Sequence, residues 1–458
     1  MDVTSRMILP FQGTGCGVGE LTWGQQSIWQ TMRRTGRTMN IGGTVPLAPG
    51  TTLDEMATML RYIVSRHQTL RTRFRLSDGL PQQVVSESGE IALDIVDVDS
   101  DASAAAAAAE LRSHYEFTPF DHPDEWPVRM GVVRQAGAPT HLVVQYCHLV
   151  IDGFGINAVV RDLANQDPAT GAGTVPVGGL TPLEIAAWQR TPAGVRQSER
   201  SLRYWADVLR TIPAERLGTS TDPREPRFWD HIRRSPALYV ALRSIAHRTG
   251  IGAGHVLLAV YAVALARETG RSPSVTQVLV SNRFRPGCAD SASHLTQPSI
   301  CAIDVVDTTF DVVVNRAWQA GTTAYLHGFF DTLAHNELVE RLTRERGEFD
   351  ISCFVNDRTS QSGPLPLGTP PDEAELRAAL PASTTWWERK LDTFDGTLYV
   401  SFDAVVPDAV DVSVCADTHR LGPRDIEALA RQLETVAVEA AFDGTVPTRV
   451  AAPVSAGG

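Results

Sequence analysis

Lysine is almost missing from this sequence: of its 41 basic side chains only Lys390 is not an arginine. With abundant alanine, this points to a GC-rich bacterial coding sequence and says nothing of mechanism. The six cysteines (Cys16, Cys147, Cys288, Cys301, Cys353, Cys415) contain no Cys-x-x-Cys pair. That excludes a zinc ribbon and a disulfide frame and reads as reduced thiols of a cytoplasmic protein. No apolar run reaches bilayer length; residues 256–266, the longest helical candidate, are bounded by His255 and Arg267. The first ten residues carry Asp2 and Arg6 and lack an apolar core, so no secretory leader is expected. Excess positive charge is lacking too: 53 acidic groups give a net charge of −12, which argues against nucleic acid and anionic membranes as partners. Glycines 13, 15, 17 and 19 do not fit Gly-x-Gly-x-x-Gly and follow no long strand, so they read as a flexible lead-in and not a phosphate loop.

What is present is a soluble globular composition, 43% apolar and 21% charged, in a chain too long for one ordinary domain. Strands are expected at 8–11, 84–85, 91–98, 128–133 and 141–147, the last nearly continuous in apolar residues and so buried on both faces. Helices are expected at 22–32, from 53 behind a threonine cap, at 102–115 in an alanine run, and at 155–164. Residues 166–181 have no period of 2 or 3.6 and mark the expected boundary between a lobe of residues 1–165 and one of residues 182–458. The second half alternates again. Helices are expected at 182–190, 195–211, 236–249, 254–269, 308–325 and 422–441, and strands at 274–280, 300–306, 349–355, 397–404 and 411–416. A Pro-rich loop falls at 361–384. Two related α/β lobes follow, with a site expected in the cleft between them.

The stretch "QYCHLVIDGFG" (145–155) concentrates chemistry: a buried strand ends on Cys147 and His148, and Asp152-Gly153 turns the chain into a helix. Adjacent residues on a strand leave opposite faces, so Cys147 and His148 cannot form a nucleophile–base pair with each other. His141 shares a face with Cys147 and not with His148, which speaks against a metal site. A helix N-terminus disfavours an imidazolium nearby, so His148 is either a neutral base near pH 7 or a satisfied core histidine. Cys147, on the opposite face, reads as a small buried hydrophobe.

"CHLVIDG" resembles the His-His-x-x-x-Asp-Gly signature of the condensation domains of nonribosomal peptide synthetases and their acyltransferase relatives. Other stretches agree in order: "LTWGQQSIWQ" (21–30), "RHQTLRTRF" (66–74, with Gln68 where glutamate is usual), "FTPFDHPDEWPVRMGVV" (117–133), "LTPLEIAAWQR" (180–190), "SLRYWADVL" (201–209) and "FVNDRTS" (354–360). The sequence departs from the family at Cys147, which replaces the first histidine. It departs again around 281–304, where Arg283 stands but Gly-x-Phe-Val-Asn is not legible. No Gly-Gly-x-Ser carrier attachment site is present.

The resemblance implies two chloramphenicol-acetyltransferase-like lobes in a V-shaped pseudo-dimer with a tunnel between them, in a free-standing condensation enzyme. A donor acyl group would arrive as a phosphopantetheine thioester on a carrier protein, and an amine or hydroxyl acceptor, free or itself carrier-bound, would enter opposite; no cofactor or metal of its own is expected. His148 maps onto the second histidine and would act as base. Asp152 would be structural and paired with Arg283 from the other lobe, and Gly153 would admit the donor thioester. Arg66 and Arg71 read as structural or solvated; Trp386 and Trp387 either line the tunnel or pack a core. Coenzyme A-dependent acyl transfer to a small molecule, or a non-catalytic domain that docks partners onto a carrier protein, are the rival functions.

Overall fold

The computed structural model describes residues 3–99, 103–167, 170–361 and 365–451; Ala102, where the alanine helix was expected to begin, and residues 362–364 of the Pro-rich loop lie outside them. Two compact units emerge, one of Met1–Arg196 with Ser281–Thr296, the other of Gln197–Val280 with Gln297–Gly458.

The first unit runs β1 (Ser5–Gln12), β2 (Gly17–Glu20), α1 (Trp23–Thr35), β3 (Asn40–Pro46), α2 (Leu53–Arg66), β4 (Thr72–Ser77), β5 (Leu80–Val85), β6 (Ser88–Val98), α3 (Ala104–Phe117), β7 (Val128–Gln135), β8 (Ala138–Cys147), α4 (Gly153–Asp162) and α5 (Pro182–Gln189). Its main sheet has the order β1-β6-β7-β8-β3, parallel only between β6 and β7. Helix starts follow capping chemistry. Thr22 and Thr52 accept from the N–H three residues on while Gln25 and Glu55 reach back, closing capping boxes that satisfy orphan N–H groups. α2 buries Met56, Leu60, Ile63 and Val64 on one face, against the core that also holds Leu93, Met130 and Leu149. The second half of the glycine-rich lead-in is a strand, while residues 13–16 are irregular: β2 pairs with β5, and β4 completes a small sheet.

α6 (Pro192–Thr211) holds the division, between Arg196 and Gln197. The second unit continues with β9 (Phe228–Ser235), α7 (Pro236–Thr249), α8 (Ala253–Thr269), β10 (Ser274–Val280), β11 (Gln297–Ile303), α9 (Phe310–Leu326), α10 (Thr332–Arg346), β12 (Cys353–Asp357), α11 (Glu373–Ala379), β13 (Thr384–Leu391), β14 (Leu398–Asp403), β15 (Val410–Asp417) and α12 (Pro423–Ala440). Its sheet has the order β11-β10-β12-β14-β15-β9-β13. α8 is buried from Val256 to Ala266, which explains a helix apolar all round. Among the described residues no single helix is long and apolar enough to cross a membrane.

The division differs from the expected one in two ways. Residues 166–181 lack periodicity yet are tied into the first unit: Asp167 N–H donates to Ala172 O, Thr174 N–H to Asn165 O and Leu180 N–H to Gly287 O. α5 then packs on β2. Second, the chain between β10 and β11 belongs to the first unit, so Arg283 does not come from the other lobe.

Candidate active site

β8 is hydrogen-bonded on both sides, to β7 and β3, and ends at Cys147; His148 N–H still donates to Met39 O, 2.8 Å away. Leu149, Val150 and Ile151 follow with no exposed surface, anchoring the turn in the core. Each such side chain gains roughly 1.5–3 kcal/mol on burial, so the polar residues on either side of them are held by an apolar plug. Asp152 caps α4, accepting from Gly155 N–H at 2.8 Å, and Gly153 opens the helix. The close approach here falls on Gly155: a Cβ there would lie 2.7 Å from Ala292 O.

His148 is half-buried, and its Nδ1 lies 2.7 Å from Ile151 O. A carbonyl only accepts, so Nδ1 carries the proton and Nε2 is left with its lone pair. Burial is the main cause that lowers the His148 pKa, opposed by the Ile151 hydrogen bond and the Asp152 charge. The neutral state expected from a helix terminus is therefore reached through desolvation.

Asp152 is 2% exposed. Burial pushes its pKa up, but the Arg283 guanidinium, His294 and backbone N–H groups overcome this and hold it well below the usual carboxylate range. Arg283 Nη2 lies 2.7 Å from Oδ1 and Nη1 2.9 Å from Oδ2. Oδ2 also accepts from Leu295 N–H, Thr296 N–H and Thr296 Oγ1 at 2.8–2.9 Å. Arg283 in turn donates to Ser281 O, Ser291 O and Ser293 O. The pair thus folds the 281–296 segment onto the start of α4.

That segment carries a residue which sequence reasoning missed. The rings of His148 and His294 meet edge-on, with centroids 4.8 Å apart and planes at 79°. Nothing in the spacing of the two histidines could have indicated this; the departure from the family pattern around 281–304 was the available signal.

Cys147 is 1% exposed, within the apolar core, and burial pushes its thiol up to about 12. Its Sγ lies 4.0 Å from Nδ1 of His122, a second histidine not singled out in the sequence. Among the described residues no cluster of three His, Cys, Asp or Glu side chains is arranged to hold a metal ion. Arg66 clasps Asp162 through Nε and Nη2 at 2.6 and 2.8 Å, and Arg71, fully buried, donates to the carbonyls of Thr14, Gly15 and Ser86. Trp387 meets Trp229 and His231 edge-on within the second unit, and Trp386 donates to Glu388.

The condensation-domain family model matches residues 18–294. Among curated proteins the chain is similar to nonribosomal peptide synthetase kk1B of Curvularia clavata, 27% identical over 68% of this chain but only 2% of that much longer protein. Among solved structures it resembles the X-domain from teicoplanin biosynthesis (TM-score 0.72, 18% identity, 97% of this chain and 99% of that one), which has also been solved in complex with OxyB. It likewise resembles the first condensation domain of the CDA synthetase (TM-score 0.68, 17% identity, 96% of this chain and 99% of that one). By the extent of the family match, the chain belongs to the condensation-domain family.

Proposed function

We propose that this chain is a condensation enzyme acting in trans, which joins a carrier-protein-bound acyl or aminoacyl thioester to an amine or hydroxyl acceptor. The observation that carries this reading is the state of His148: Nδ1–H is spent on Ile151 O, and Nε2 keeps a lone pair. In the proposed reaction the acceptor attacks the thioester carbonyl while His148 Nε2 takes its proton. Collapse of the tetrahedral intermediate forms the C–N or C–O bond and breaks the C–S bond, and the proton returns to the departing phosphopantetheine sulfur. General base help of this kind contributes about 10²–10⁴-fold, and alignment of the two substrates as much or more. A hydroxyl gains more from the base, because it is the weaker nucleophile and its attack without proton removal would leave a strongly acidic oxonium. Asp152 and Arg283 keep the turn that aims His148, and Gly153 leaves room at the start of α4 for the thioester.

A second reading, a docking domain without catalysis, draws support from the likeness to a domain solved with OxyB and from Cys147 in the first histidine's place. Intact-mass analysis separates the two. An acyl-loaded carrier protein should lose its acyl group only when enzyme and acceptor are both present, and not with His148→Ala. Acyl loss that is independent of the enzyme, or none under any acceptor while a partner protein binds, favours docking.

A further inference from the structure

His294 is 2% exposed and fixed on three sides. Its backbone N–H donates to Val150 O (3.0 Å), and its ring Nε2 lies 3.0 Å from Thr296 O. The side of α1 is so close that a Cβ on Gly24 would sit 2.9 Å from the ring. Because a carbonyl accepts, Nε2 carries the proton and Nδ1 the lone pair. That Nδ1 is buried and has no hydrogen-bond partner among the described residues. A buried acceptor left unpaired is unfavourable, and the ring it accompanies is in contact with His148.

We propose that His294 is a positioning residue that serves the protonated form of His148: its neutral imidazole, tautomer locked by Thr296 O, stabilises the imidazolium formed when His148 takes the acceptor's proton. This rests on reading His148 as the base. Among the described residues, His148, Asp152 and Arg283 are the titratable and charged groups that face His294. A perpendicular contact favours a cationic partner where the neutral imidazole turns its electron-rich face or its in-plane lone pair toward it. The buried Nδ1 of His294 keeps that lone pair uncommitted to any hydrogen bond among the described residues. Burial, followed by the charge on His148, lowers the His294 pKa to about 4, so His294 is neutral near pH 7.

The test replaces His294 by leucine, which fills the space without face or lone pair, and by asparagine, whose amide oxygen can stand near the Nδ1 position. The full chain is used, with an acyl-loaded carrier protein and an amine acceptor. In His294→Leu, kcat is expected to fall about 10-fold with KM for the acceptor and the melting temperature close to wild type. The pKa of His148, followed by NMR of the ring nitrogens, should also fall, since the charged form loses its support. The acidic limb of the rate profile then moves to lower pH by the same amount. His294→Asn is expected to restore part of both. An unchanged His148 titration in His294→Leu overturns the proposal, as does a loss of rate that tracks melting temperature or KM. The titration needs no turnover, so failure of the base reading (full activity in His148→Ala) is told apart from failure of this one.

Discussion

Two carboxylates stand near the ends of sheet strands, Asp152 beyond β8 in the first unit and Asp357 at the end of β12 in the second, and their surroundings push them in opposite directions. Burial penalises the charge of both. For Asp152 a buried guanidinium and several N–H and O–H donors reverse the penalty, and the pKa falls. Among the described residues Asp357 receives Thr359 N–H and Oγ1, at 3.0 and 2.6 Å; its neighbour Arg358 turns to Asp403 instead, and the Asp357 pKa rises. Even with Arg358, Asp403 stays raised, burial being the first cause. A strand-end carboxylate becomes a fixed anion where donors converge on it from several directions, and a single neighbour does not suffice.

The sharpest way to break this contrast is to remove one partner in the first unit. Asp152→Ala and Arg283→Ala are each expected to lower stability by about 3–5 kcal/mol, since each leaves a buried charge uncompensated. The double mutant should be less damaged than the sum, in a urea-melt cycle; strict additivity would mean that Arg283 is not the functional partner. The low pKa makes the Asp152 contribution fully present above the unfolded value of about 3.9 and lost as pH falls through the lower folded value. The gap between wild type and Asp152→Asn should therefore close in acid. Should Asp152→Asn instead melt like wild type and lose only turnover, Asp152 acts in the chemistry.

Next in size, His148→Ala should lower turnover at least about a hundredfold with native melting behaviour, and more for a hydroxyl acceptor than for an amine. Wild-type turnover in that variant removes His148 from the mechanism.

In the second unit the sign reverses. A raised folded pKa means that ionised Asp357 opposes folding, with no penalty below the unfolded pKa and the full penalty above the folded one. Asp357→Asn is thus expected to change stability by no more than about 1 kcal/mol, and any gain should be larger at pH 8 than at pH 4. A loss as large as that of Asp152→Asn would erase the comparison. The smallest effect is expected at Cys147: Cys147→Ala and Cys147→Ser should keep most activity, and peptide mapping after turnover should find no acyl adduct on the buried thiol.

Both strands on which the site depends, β7 and β8, and the helix α4 after the turn were legible, because apolar runs bounded by turn residues identify buried strands directly. β3 was not, since Gly42-Gly43 gives it no strand preference, although it pairs with β8 through Cys147. β9 and β13 carry Arg233, Arg234, Glu388 and Arg389 and sit at one side of their sheet, where apolar alternation fades. α10 is not legible, because only Thr332, His335, Leu338 and Leu342 of it are buried among polar residues. In the site, the Asp152–Arg283 pair was expected from the family pattern, but the unit to which Arg283 belongs was not. Chain order alone cannot reveal that residues 281–296 leave one unit to complete another.

That detour has a consequence for synthesis. The first 196 residues emerge from the ribosome long before Arg283 and Thr296, so during that interval Asp152 has neither its guanidinium nor three of its donors. The N-terminal unit must wait, with its turn after β8 incompletely neutralised, until about a hundred further residues have been translated. A fragment ending at Arg196 should therefore behave as an arrested nascent chain, aggregation-prone and protease-sensitive, and a separately supplied 281–296 peptide is the minimal piece that could rescue it.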